Sequence, residues 1–144
     1  MLNKRILGVD YGDARTGLAL SDISGFLASG IGTIKSTGFL KTAEEVARIA
    51  KEKDVGLIVL GHPINMNGTL GPRSEKARAF GEHLKELCGV EVVMYDERLS
   101  TANAHTMLNI TNTRGQKRKN IIDEMSACLI LQSYLDKIRG NGGI

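Results

Sequence analysis

Three acidic side chains stand at the predicted ends of secondary-structure elements. Asp10 and Glu97 each close a short apolar run typical of a strand, and Asp123 lies near the start of a helical pattern. Mg²⁺ and Mn²⁺ are bound mainly through carboxylate oxygens and water. Two such ions about 3.5–4 Å apart can stabilise both the attacking and the leaving oxygen when a phosphodiester is cleaved. If the fold brings the three carboxylates together, they predict a two-metal phosphodiesterase site.

Each acid also has a purely structural explanation. Asp10 could cap a turn, since aspartate is favoured there, and Glu97 could end an exposed strand in an ion pair with Arg98. Asn120 could be the N-cap of the last helix, with Asp123 as its third residue, where an acid complements the helix dipole by about 0.3–1 kcal/mol. The residues alone leave both explanations open.

The strand that precedes Glu97 ends in two adjacent acids, Asp96 and Glu97. Neighbouring residues on a strand point to opposite faces of the sheet, so only one of them can share a face with Asp10. We favour Glu97 and keep Asp96 as the substitute. Asp123 lies on the helical stripe of Ala127 and Ile130, which predicts that its side chain faces the sheet.

The elements that must position these acids follow from the hydrophobic pattern. A capping box over Thr42–Glu45 predicts a helix start, a continuous apolar run from Val55 predicts a strand covered on both faces, and Gly89 predicts a helix end. The predicted strands cover 5–10, 17–21, 28–35, 55–60 and 90–95, and the predicted helices cover 42–53, 74–87, a segment starting at Ser100 or Thr101, and 121–138.

This order predicts an α/β domain with a mixed five-stranded sheet flanked by helices. The order is that of the ribonuclease H topology, although other mixed α/β folds have it too. With 144 residues the chain is long enough for one domain with a real core. We expect a single domain over 1–139 and a flexible Gly-rich tail over 140–144.

Composition permits a polyanionic partner without demanding one, and any contact with nucleic acid should be made through its phosphates. The net charge is +3 and aromatic residues make up 4% of the chain, with no Trp, so stacked aromatic platforms are poorly supported. Basic residues cluster just before the last helix, as a phosphate-binding patch or a solvated loop: Arg114, Lys117, Arg118 and Lys119. Cys88 and Cys128 form no CxxC pair, and no signal-peptide or membrane-length apolar run occurs, so we expect reduced thiols and a cytoplasmic protein.

Other polar residues are candidates for substrate contacts near the acids. Arg15 and Arg98 could bind a phosphate, neutralise the carboxylates or serve only in structural ion pairs. The long loop 61–72 contains Asn65 and Asn67 and follows a strand's carboxyl end, where ligands of open α/β sheets tend to sit. A plain Ω-loop is the alternative. His83 and His105 show no ligand spacing and receive no role.

Four segments together resemble the YqgF family, also called RuvX. Residues 10–17, DYGDARTG, resemble its DxGxxRxG opening, and 96–101, DERLST, resemble its DERxxT segment. Loop 61–72 resembles the family's loop after the fourth strand, and 117–135 its basic turn and final helix. His62 departs from the apolar residue that many relatives have there, which concerns the loop's substrate contacts rather than the metal site.

The resemblance implies a ribonuclease H-like fold related to the resolvase RuvC, with Asp10, Glu97 and Asp123 as carboxylates that bind Mg²⁺ or Mn²⁺. It implies a nuclease that processes the 5′ end of pre-16S rRNA in ribosome biogenesis, with resolution of Holliday junctions in DNA as the older proposal. A non-catalytic ribosome- or transcription-associated binding module is the third alternative. The expected partners are RNA, branched DNA or ribosomal particles, with no membrane, and the expected state is a monomer or a weak homodimer.

Overall fold

The protein consists of a mixed β-sheet with helices on both faces. The structure is a computed structural model that describes residues 4–65, 67–97 and 115–142. The strands are β1 (Arg5–Asp10), β2 (Arg15–Ser21), β3 (Ala28–Lys35), β4 (Val55–His62) and β5 (Glu91–Asp96). The helices are α1 (Phe39–Glu52), α2 (Pro72–Cys88) and α3 (Gly115–Gly142). The helix expected to start at Ser100 or Thr101 lies outside the described residues.

The five strands form one sheet in the order β3-β2-β1-β4-β5. The pairs β1–β2 and β2–β3 are antiparallel, whereas β1–β4 and β4–β5 are parallel. This arrangement confirms the predicted fold class. Because β1, β4 and β5 run in the same direction, their carboxyl ends meet at one edge of the sheet, where Asp10 and Glu97 lie.

Each face of the sheet has its own apolar core. On one face α1 and α2 cover residues such as Leu7, Val9 and Leu60, together with Phe80 from α2. On the other face α3 covers a second set: Ile6, Ala19, Val59, Tyr95, Ala127, Ile130, Leu131 and Leu135. Strands β1 and β4 contribute to both cores, which explains why their sequences are continuously apolar rather than alternating.

Small residues let α3 lie almost against the backbone of the sheet. Gly8 on β1 pairs with Ala19 on β2, which pairs in turn with Gly30 on β3. A Cβ atom added at Gly8 would lie 2.8 Å from Cβ of Leu131, and one added at Gly17 would overlap the carbonyl oxygen of Asp123. The backbone around Asp123 is therefore fixed directly against β2.

The predicted start of α1 was wrong. Helix α1 begins at Phe39 after Gly38, whose φ of 112° suits glycine, and no side chain caps it. Thr42 is buried inside the helix, where its hydroxyl accepts a hydrogen bond from the Thr37 amide at 3.2 Å. Glu45 does not reach back to a cap but pairs with Arg48 on the next turn. Thr42 and Glu45 thus lie within the helix, one buried and the other on its surface, and neither caps its start.

Helix α3 is longer than predicted at both ends. It starts at Gly115 instead of near Ile121 and continues to Gly142, beyond the predicted end at Ile138. Asn120 therefore lies within the helix and is not its N-cap, and Asp123 lies more than two turns from the first residue. The helix-dipole explanation for Asp123 fails because that effect is confined to the first turn. The helix also includes 140–142 of the predicted tail, and 143–144 lie outside the described residues.

No helix in the described ranges is both long and apolar enough to cross a membrane.

We predict that Gly17→Ala lowers the free energy of unfolding by about 3 kcal/mol or more, the upper end for overpacked sites. The added methyl group has no room because it meets helix backbone rather than a flexible side chain. Urea unfolding followed by circular dichroism measures the change. Gly140→Ala is the matched control, since a Cβ there has no neighbour within 4 Å. Equal stability of the two variants would contradict this account of the α3–sheet contact.

Candidate active site at the carboxyl edge of the sheet

Asp10 and Glu97 meet across the end of the central strand β4. Asp10 ends β1 and Glu97 directly follows β5, so β4 lies between them in the sheet. A Cβ atom at Gly61 on β4 would lie only 2.9 Å from Oε2 of Glu97. The absence of a side chain at Gly61 therefore leaves room for Glu97 to reach across the strand, where it forms a side-chain hydrogen bond with Asp10.

Asp123 reaches the same edge from helix α3. Its Oδ2 accepts a hydrogen bond from Nε of Arg15 at 2.6 Å, and the two side chains are 21% and 27% exposed. Its charge acts on Asp10 through space. The structure thus gathers the three predicted acids in one region, with Asp10 and Glu97 in contact and Asp123 turned to Arg15.

The pKa values of the Asp10 and Glu97 carboxyl groups are both raised. The pKa of Asp10 is raised well above its usual value, first because burial removes solvent from the carboxylate and then because Glu97 and Asp123 repel its negative charge. Burial also raises the pKa of Glu97. The hydrogen bond between the two carboxyl groups raises the pKa of Asp10 further and lowers that of Glu97.

The oxygen atoms of this pair suit a divalent cation. Two closely placed carboxylates cannot both ionise without a compensating positive charge, and Mg²⁺ or Mn²⁺ would supply it. Within the described ranges no three His, Cys, Asp or Glu side chains are arranged to hold a metal ion. For Asp123 to bind the same cation, its carboxylate would have to release Arg15. The predicted metal site of three carboxylates therefore stays a prediction.

Asp96 is the last residue of β5 and directly precedes Glu97. In the β4–β5 register it is the partner of His62, and its charge raises the pKa of that histidine against the larger, opposite effect of burial. The hydrogen bond with Asp10 is made by Glu97. Of the two neighbouring acids, Glu97 is therefore the one in contact with Asp10.

Loop residues Asn65 and Asn67 are engaged with their own loop. Oδ1 of Asn67 accepts hydrogen bonds from the backbone amide and the hydroxyl of Thr69, and Nδ2 of Asn65 donates to the same hydroxyl at 2.9 Å. Gly68 completes the turn with a positive φ of 86°. These contacts define a self-supported turn, and the binding role predicted for the two asparagines stays a prediction.

The predicted basic patch divides between two parts of the chain. Arg114 lies outside the described residues, as does the separate candidate Arg98, whereas the backbone of Lys117, Arg118 and Lys119 belongs to the first turns of α3. The expectation of a basic turn before the helix was therefore wrong for these three positions. Lysine and arginine are good helix formers, so a basic run is compatible with helix. Their role in binding nucleic acid stays a prediction.

Sequence reasoning missed a cation beside the acids, Arg73. Its charge lowers the pKa of Asp10 and of Glu97, which opposes the effect of burial on both. The predicted helix started at Ser74 and so left Arg73 in the loop, but α2 starts at Pro72. A proline at the first helical position was the available signal.

His62 fastens the end of β4 to the start of α2. Its Nε2 is hydrogen-bonded to the hydroxyl of Ser74, which is 1% exposed. Burial, together with the nearby charge of Arg78, lowers the pKa of His62. His62 thus helps to fix the first turn of α2, which contains Arg73.

Solved structures with the same arrangement of elements define the class of fold. Thermus thermophilus RuvC in complex with a Holliday junction substrate superposes with a TM-score of 0.61 at 12% identity, covering 95% of this chain and 96% of that one. The fowlpox virus resolvase, in complex with Holliday junction DNA, gives a TM-score of 0.54 at 15% identity, covering 93% and 98%. The protein has a ribonuclease H-like fold with an acidic centre at the carboxyl ends of its central strands.

Sequence comparison identifies the family. The family described as "RuvX: Holliday junction resolvase" matches residues 4–137. A Ruminiclostridium cellulolyticum protein named "Putative pre-16S rRNA nuclease" is 48% identical, over 95% of this chain and 97% of its own. A protein of the same name from Clostridioides difficile is 49% identical, over 94% and 96%. The chain belongs to the RuvX family, which confirms the resemblance seen in its motifs.

We predict that Asp10→Asn stabilises the protein at neutral pH in the presence of EDTA. An unfolded chain releases the Asp10 proton near the ordinary aspartate pKa of 3.8, whereas the folded protein releases it at higher pH. The wild type therefore loses stability as the pH rises from about 3.8 through the raised pKa, and remains less stable above it. Asparagine removes that ionisation and keeps a donor for Glu97.

Urea unfolding over acidic to neutral pH measures the effect. The advantage of Asp10→Asn should grow with pH and be smallest below the ordinary aspartate pKa of 3.8. Asp13→Asn is the control, since that side chain is 75% exposed in the neighbouring turn. An advantage that does not change with pH, or that Asp13→Asn shares, would contradict the proposed electrostatic cost of ionising Asp10.

Proposed function

We propose that the protein is a metal-dependent nuclease that hydrolyses phosphodiester bonds at the edge formed by Asp10, Glu97 and Asp123. The observation that carries the proposal is the contact between the Asp10 and Glu97 carboxyl groups, whose pKa values are raised first of all by burial. Burying two neighbouring carboxyl groups lowers stability, and a binding surface for phosphates gains nothing from it. Clustered carboxylate oxygens are the ligands that divalent cations prefer.

Asp10 and Glu97 would hold Mg²⁺ or Mn²⁺, and Asp123 would join them on leaving Arg15. Such an ion would stabilise the negative charge that develops on the phosphate and would activate water as the nucleophile. The protein's own contribution is to fix the carboxylates. Gly61 gives Glu97 its path to Asp10, and the tight contact of α3 with Gly17 fixes the backbone of Asp123.

The substrate that we propose is RNA, at the 5′ end of pre-16S rRNA in ribosome biogenesis. Its support is the name shared by relatives that are 48% and 49% identical over nearly the whole chain. The second candidate substrate is a four-way DNA junction, supported by the description of the matching family. A resolvase must cut two strands symmetrically, which requires two sites and hence a stable dimer, so light scattering on the purified protein bears on this alternative.

We predict that Asp10→Asn lowers divalent-dependent cleavage by roughly a thousandfold or more, because the ion it helps to hold contributes several kcal/mol to the transition state. The assay incubates wild type and variant with a labelled pre-16S leader RNA and a four-way DNA junction, side by side, with Mn²⁺. Gel electrophoresis then shows which substrate is cut.

Asp54→Asn provides the matched control, since it makes the same change of charge at a side chain that is 79% exposed, away from the three acids. It should cleave at a rate close to that of the wild type. Equal cleavage by Asp10→Asn and the wild type would contradict the proposed location of the active site. Absence of cleavage by the wild type on both substrates, with binding retained, would favour the non-catalytic module.

A further inference from the structure

The two arginines near the acids have different surroundings. Arg15 is bound to Asp123 at 2.6 Å and is held largely out of solvent. Arg73 is exposed, and it forms no ion pair or hydrogen bond with any side chain that the structure describes, although its charge acts on Asp10 and Glu97. Arg73 therefore retains its guanidinium donors for another acceptor.

Arg73 lines a small cleft next to the carboxyl pair. The cleft is about 40 Å³ in volume and lies between the β1–β2 turn and the start of α2, lined by Tyr11, Gly12, Asp13, Pro63, Arg73 and Lys76. Lys76 lies three residues after Arg73, on the same face of α2. Its contact with Asp13 is a 3.3 Å ion pair between side chains that are 59% and 75% exposed, and pairs of this kind are weak.

The walls of the cleft favour a narrow anion. Gly12 keeps the turn tight, because a Cβ atom there would lie 2.6 Å from the carbonyl oxygen of Arg15. The ring of Tyr11 is stacked on Phe80 with centroids 4.0 Å apart, which makes it a fixed wall. His62 anchors the first turn of α2 through Ser74. The side chains of Arg73 and Lys76 thus extend from a firmly packed part of the fold, beside the acidic residues of the site.

We propose that Arg73, assisted by Lys76, binds a backbone phosphate of the nucleic acid beside the bond that is cleaved. This inference rests on the proposed nuclease function and names the residue that holds its substrate. A guanidinium can bind a phosphate through two parallel hydrogen bonds. Arg73 also offsets the repulsion that the carboxylates exert on an approaching phosphate. Arg15, a sequence-based candidate for this role, is paired with Asp123 in this structure, whereas Arg73 is exposed.

The test measures binding rather than cleavage. Fluorescence anisotropy follows a short labelled RNA, and a DNA of the same sequence, in saturating Ca²⁺ over a series of KCl concentrations. We expect Arg73→Gln to raise Kd roughly 10- to 100-fold for both probes, as for other hydrogen bonds to charged groups. The slope of log Kd against log salt should fall by about 0.7–0.9, the value for one lost phosphate contact.

Two further variants make the outcome specific. Arg73→Lys keeps the charge and should keep most of the salt slope while losing part of the affinity. Arg78→Gln removes an equal charge from the same exposed helix, but Arg78 lines a different cavity, between α2 and β5. It should leave Kd close to the wild-type value. Equal weakening by Arg73→Gln and Arg78→Gln would overturn the inference, because it would show only an effect of total charge.

The inference and the proposed function fail separately. Unchanged binding by Arg73→Gln, with cleavage by the wild type, would overturn the role of Arg73 and leave the nuclease intact. Weakened binding by Arg73→Gln, with no cleavage by the wild type on any substrate, would support the phosphate contact while removing the nuclease proposal. Thermal melting of each variant confirms that it folds, as we expect for an exposed side chain.

Discussion

The close contact of α3 with the sheet is the constraint on which the site depends. A helix that crosses a sheet normally stands off by the thickness of its side chains, about 10 Å between axes or layers. Here Gly8 and Gly17 remove that spacing, so that helix backbone meets strand backbone. The consequence is that Asp123, which is 113 residues after Asp10 in the sequence, is placed by rigid main chain.

Gly61 likewise leaves room for an acidic residue to approach Asp10, in this case Glu97. Adjacent parallel strands lie about 4.8 Å apart, so the ends of β1 and β5 are separated by twice that distance with β4 between them. A glutamate is long enough to cross β4 only if the residue beneath it has no side chain, and Gly61 provides this. Gly8, Gly17 and Gly61 are thus the positions that let the acidic groups approach one another.

Strand parity was the part of the site that the sequence could predict. Tyr95 is buried against α3, and Glu97, two residues later, lies on the same face as a strand period of two requires. The apolar runs of β1 and β4 likewise predicted central strands. Regular periodicity carries this information within a few residues, without knowledge of the rest of the chain.

The errors concerned interactions that no local pattern contains. Thr42 and Glu45 have the spacing of a helix cap, but Phe39 packs against Phe80 of α2, and the helix includes that apolar residue as well. Arg73 was missed because its importance comes from its closeness in space to Asp10, which lies 63 residues earlier in the sequence. Contacts of this kind exist only after the sheet has assembled.

The acids at the site edge are opposed by two arginines. Arg15 pairs with Asp123, the charge of Arg73 acts on Asp10 and Glu97, and burial raises the pKa of both of these carboxyl groups. A divalent cation that bound alone would face two guanidinium groups, whereas a phosphate that bound alone would face the carboxyl groups. Each therefore reduces the electrostatic cost of the other, since opposite charges in a poorly solvated site stabilise one another strongly. A site balanced in this way favours cation and phosphate together over either one by itself.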